Sequence, residues 1–129
     1  MQTFQPLEYG KYYHVYNRGI NSALLFKVKD NYEHFLRLYD KYIDSIADTY
    51  AWCLMPNHLH LLVRIKEEED ILPFPKKPLS GPSATDRVEG KKPTPYRQFS
   101  HLFNAYAQAF NRSNNRTVAC LKRHLNVTL

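Results

Sequence analysis

Acidic residues stop at Glu89. From there to the C-terminus the chain carries Lys91, Lys92, Arg97, Arg112, Arg116, Lys122 and Arg123 and no aspartate or glutamate. A merely solvated surface interleaves its signs, so a one-signed final third, in a chain of net charge +6 and pI near 9.3, points to a polyanionic partner. Cysteine is equally scarce. Cys53 and Cys120 are the only two, without C-x-x-C spacing, which excludes a disulfide framework and a cysteine-rich zinc site. Cys53 lies in an apolar run and is expected to be a buried thiol. No stretch approaches the ~20 apolar residues of a membrane helix, and Met1-Gln2-Thr3 opens no signal-peptide pattern, so a soluble, cytoplasmic protein with no membrane partner is expected. The length of 129 residues suits one domain with its own core.

The run from Cys53 to Val63 places two histidines one residue apart in a segment that reads as a strand. Side chains alternate along a strand, so His58 and His60 share one face while Leu59, Leu61 and Val63 share the other. Two imidazoles at that spacing can hold one divalent cation from a rigid element. Pro56 lacks a donor and disfavours the α region for Met55, so Met55-Pro56-Asn57 reads as a bend between two strands.

Around this motif the pattern predicts a first strand over Lys11 to Arg18, with Tyr12, His14 and Tyr16 on one face and Tyr13, Val15 and Asn17 on the other. Gly19-Ile20-Asn21-Ser22 supplies a turn. A helix follows from Asp30, which with Glu33 offers a capping box, and its stripe of Tyr32, Phe35, Leu36, Tyr39, Tyr42, Ile43 and Ile46 fits core packing. Thr49 to Met55 and His58 to Ile65 pair as a hairpin. Residues 66–95 hold six prolines and clustered charges, and read as a mobile insertion. Thr94-Pro95 starts a second helix, striped by Phe99, Leu102, Phe103, Tyr106 and Phe110. With one more strand expected, the order gives an α+β, ferredoxin-like antiparallel sheet with two helices on one face, leaving His58 and His60 on the other.

The wording Ala51-Trp52-Cys53-Leu54-Met55-Pro56-Asn57-His58-Leu59-His60-Leu61-Leu62-Val63 resembles the histidine-hydrophobe-histidine (HUH) motif of the single-tyrosine DNA transposases, in particular the REP-associated tyrosine transposases. Tyr13-His14-Val15-Tyr16-Asn17-Arg18-Gly19, the aromatic helix after Asp30, and Phe99 to Tyr106 with Phe110-Asn111 match in the family's order, over roughly residues 9 to 117. The resemblance implies that His58 and His60 hold magnesium or manganese against the scissile phosphate of single-stranded or hairpin DNA. It implies, too, that a tyrosine on a C-terminal helix attacks phosphorus, leaving a 5′-phosphotyrosine link and a 3′-hydroxyl. That helix also supplies a further metal ligand in the family. Relatives are monomers or helix-exchanging dimers, so a homodimer stays open.

The family's Y-I-x-x-N-P segment has no counterpart here, since no tyrosine follows Tyr106. Tyr106 is the candidate nucleophile left, on a stripe where relatives carry a tyrosine that is not theirs; Tyr96 is no better supported. Where relatives read approximately G-S-L-F-x-x-P-F-K-R, residues 118–129 run Val-Ala-Cys-Leu-Lys-Arg-His-Leu-Asn-Val-Thr-Leu, and codons exist by which a shift of one nucleotide converts one wording into the other. The expectation is a transposase-like domain with a frameshifted, truncated tail, inactive in cleavage alone, that binds nucleic acid through Arg97, Arg112, Arg116, Lys122, Arg123, Asn17 and Arg18. Two alternatives stand beside it. One is a non-catalytic single-stranded DNA- or RNA-binding module stacking bases on Tyr12, His14 and Tyr16. The other is a metal-dependent nuclease using activated water, against which the lack of carboxylates in the motif counts.

Overall fold

The computed structural model describes residues 7–20, 23–74 and 91–113, and the backbone of 126–128. Its elements run β1 (Tyr12–Arg18), α1 (Lys29–Ile43), β2 (Ala47–Met55), β3 (His58–Ile65), α2 (Pro95–Ser113) and β4 (Asn126–Thr128). The sheet order is β2-β3-β1-β4, with every pairing antiparallel. This is the ferredoxin-like order, and β4 is the additional strand the pattern called for.

Alternation places the core. Tyr13, Val15, Leu59, Leu61, Val63 and Ile65 are buried on one sheet face against Phe35 and Ile43 of α1 and Phe99, Leu102, Phe103, Tyr106 and Phe110 of α2. Removing one such large side chain costs roughly 2–5 kcal/mol, more than the ~1 kcal/mol of a helix cap. Burial, more than capping, therefore holds the helices on the sheet.

The caps differ from expectation at α1. The helix begins at Lys29, and Asn31, not Asp30 with Glu33, supplies the polar contact: its Oδ1 accepts from the backbone N–H groups of Lys27 at 2.8 Å and Val28 at 3.0 Å. Val28 has no side-chain acceptor, so only this half of a box forms. At α2 the expectation holds, with Pro95 in first position and Gln98 N–H donating to Thr94 O. Gln98 is buried, and its Nε2 donates to Tyr42 O at 3.0 Å, joining α2 to the last turn of α1.

Cys53 corrects the sequence reading, being exposed where a buried thiol was expected. The cause is topological. Cys53 pairs with His60 and so projects to the sheet face opposite α1 and α2, and β2 is an edge strand, exposed from Asp48 to Cys53; on its helical side a cleft of about 390 Å³ separates it from α1, lined by Tyr39, Thr49 and Trp52 among others. Of the segment expected as an insertion, residues 66–74 and 91–95 are described, the last as the first residue of α2. Glu68–Asp70 forms a 3-10 turn, Ile71 is buried, and Phe74 N–H donates to Lys91 O at 3.1 Å, bringing the two ends together. Residues 75–90 lie outside the described residues, as do 114–125 of the tail. Among the described residues no helix is long and apolar enough to cross a membrane.

Candidate metal and nucleic-acid site

β3 alternates as its sequence dictates: Leu59, Leu61, Val63 and Ile65 are buried, while His58, His60, Leu62 and Arg64 lie on the face opposite α1 and α2. The strand is central, between β2 and β1. Register then decides which side chains join the histidines, because directly paired residues project to the same side. On β1, Tyr16 pairs with His60 and Arg18 with His58; on β2, Cys53 pairs with His60 and Met55 with His58.

The turn that delivers His58 is fixed from three directions. Pro56 O accepts from Leu25 N–H at 2.7 Å and Phe26 N–H at 3.1 Å, and Asn57 O accepts from Gly19 N–H at 3.0 Å. A Cβ on Gly19 would lie 2.0 Å from Ala23 O, so only glycine permits this close approach. The Asn57 side-chain oxygen lies 2.7 Å from Nδ1 of His58 and, being an acceptor, holds the proton there.

His60 stands in an imidazole cluster. Its Nδ1 is 2.8 Å from Nε2 of His14, the two rings are nearly parallel at 16° with centroids 5.0 Å apart, and His58 meets it edge-on at 5.2 Å. Desolvation, then the charges of His14 and His58 when protonated, lower its pKa below the ordinary 6.5. The neutral form, which has a lone pair for a cation, is thereby favoured at neutral pH. Tyr16 flanks the cluster, with centroids 5.0 Å from His14 and 6.2 Å from His60. Further along the same face Tyr12 and Tyr50, both more than half exposed, pair at 5.5 Å; Tyr50 reaches this face from a β-bulge between Thr49 and Ala51.

Among the described residues no group of three or more His, Cys, Asp or Glu is arranged to hold a metal. Two imidazoles without a carboxylate are a poor site for magnesium or manganese by themselves, since both ions ask for oxygen ligands. Such a pair would be completed by phosphate or water oxygens.

The other expected site residues are dispersed. Arg18 stands across from His58, on the open face, and is exposed. Asn17 is 2% exposed and faces the helical layer, its Oδ1 accepting from Arg18 N–H, so burial removes it from a nucleic-acid surface. Arg97 and Arg112 are exposed on α2, beyond the opposite face of the sheet from the histidines. Arg116, Lys122 and Arg123 lie outside the described residues. Tyr106 is 1% exposed, packed against Phe26, Phe35 and Phe110, and donates its hydroxyl to Leu25 O. His14 went unassigned to the metal site in the sequence, although alternation puts it on the same face as Tyr16 and the ferredoxin-like order puts β1 beside β3.

No protein-family model matches this sequence, and no curated protein does. A solved structure described as a REP-associated tyrosine transposase bound to a REP hairpin matches with TM-score 0.51 and 12% sequence identity, over 99% of this chain and 59% of that one. At that identity the likeness shows a shared fold. The chain spans about three-fifths of the length of the protein it matches.

Proposed function

We propose that this chain is a transposase-type DNA-binding domain that grips single-stranded or hairpin DNA on its open sheet face, with a divalent ion held by His58 and His60 against a backbone phosphate. The observation that carries the reading is the histidine pair itself, set on a central strand whose reverse side is the core, with Arg18 beside it and, among the described residues, no helix above it. Support comes from the fold shared with a transposase that was solved with a hairpin bound. When present, the ion would draw negative charge from the phosphate oxygens. Arg18 would pair with a phosphate, and His58 would keep its orientation through Asn57.

Strand cleavage through a phosphotyrosine is not assigned to the described residues. Tyr106 is enclosed by the core, and its hydroxyl is committed to Leu25 O. Binding of a fluorescent hairpin oligonucleotide with a single-stranded flank, with and without manganese, tests the reading. Wild type should bind more tightly with manganese, His60→Ala should lose that increment, and neither should yield a covalent adduct. Metal-independent binding, unchanged in His60→Ala, would favour a non-catalytic single-strand binder using the open face.

A further inference from the structure

We infer that His14 is a positioning residue for this site: through its bond to Nδ1 of His60 it holds that ring so that Nε2, with its lone pair, is the atom left for a cation. The inference rests on the metal-holding reading above, and concerns a residue on a different strand from the histidine motif.

His58 sets the pattern. Its Nδ1 faces an amide oxygen that can only accept, so the proton sits on Nδ1 and the neutral ring keeps its lone pair on Nε2. His60 engages the same atom, but its neighbour is Nε2 of another imidazole, 2.8 Å away, which can accept or donate. Two arrangements of the neutral pair follow. If His14 donates, His60 carries its proton on Nε2 and offers a cation nothing. If His60 donates, its Nε2 lone pair matches that of His58, and His14 keeps its own proton on Nδ1. A cation at Nε2 selects the second arrangement, and His14 can meet it without any bond being broken. The near-parallel ring of His14 and the Tyr16 ring beside it also restrict rotation of His60.

Packing alone would explain the same contact, so the variants must separate the two roles. His14→Phe keeps a ring next to Tyr16 and His60 but cannot accept a proton; His14→Gln removes the ring and keeps an acceptor. Manganese affinity of the 129-residue chain, measured by calorimetry with the metal alone, should fall about tenfold or more in His14→Phe and by no more than about threefold in His14→Gln. Nitrogen-15 NMR of the metal-free protein gives a second readout: His60 should carry its proton on Nδ1 to a greater extent in wild type than in His14→Phe. Equal manganese binding by wild type and His14→Phe, or an unchanged His60 tautomer, overturns the inference. If wild type binds no manganese at all, the metal-holding reading fails, and the tautomer comparison still decides the role of His14.

Discussion

The hydroxyl of Tyr106 donates to the carbonyl oxygen of Leu25, whose own N–H donates to Pro56 O in the turn before His58. A side chain from the helical layer thus underpins the loop that presents the site on the other face. Tyr106→Phe retains the ring and leaves a buried carbonyl without this donor, so it should destabilise the fold by about 1–2 kcal/mol in urea unfolding. A variant as stable as wild type would show that the bond contributes nothing. A phosphotyrosine adduct formed by wild type and lost in this variant would make Tyr106 the nucleophile.

Arg18 and Arg97 lie on opposite sides of the sheet, which separates their effects on DNA. Each phosphate contact to a single strand contributes roughly 0.7 to the slope of log affinity against log salt. Arg18→Ala should lower the measured slope by about that amount, and Arg97→Ala should leave it unchanged. The reverse result would move the DNA to the helical layer.

Because His60 has a pKa below 6.5 in the fold, the unfolded chain binds the proton more readily than the folded one between the two values. Stability from this group is therefore present above pH 6.5 and is lost as pH falls through the folded value. In NMR titration the His60 ring should show a midpoint below 6.5. Melting temperature should drop on acidification, and by less in His60→Ala. A midpoint above 6.5 would reverse the sign and contradict the desolvation of this ring.

Cys53 pairs across the sheet with His60 and is exposed. In a Cys120→Ser background it should react quickly with an alkylating reagent when the protein is alone, as an exposed thiol does. Hairpin DNA on the open face should slow that reaction. Undiminished alkylation at saturating DNA would show that the nucleic acid lies elsewhere.

The faces of β1 and β3 could be read from the chain because a period of two in Tyr12–Arg18 and His58–Ile65 leaves little freedom once one side is oily. The stripes of both helices were legible for the same reason. An apolar run does not say which of its members face the core: Cys53 is exposed because its pairing with His60 turns it to the face opposite the helices, and that pairing is a matter of register. Asn17 is a different case: alternation sets it with Tyr13 and Val15 on the helical face, so its burial follows from the same period of two. The bond between His14 and His60 depends on the register of two strands 46 residues apart, a quantity no local pattern contains.

That separation also bears on how the molecule is assembled in time. β2 and β3 form a hairpin joined by two residues, whereas β1 must close a long loop before His14 meets His60, at a greater cost in chain entropy. The imidazole cluster is then complete only once β1 has docked on β3. A cation that binds there would favour the folded chain over the unfolded one, so the pairing of two distant strands would become dependent on the ion's concentration.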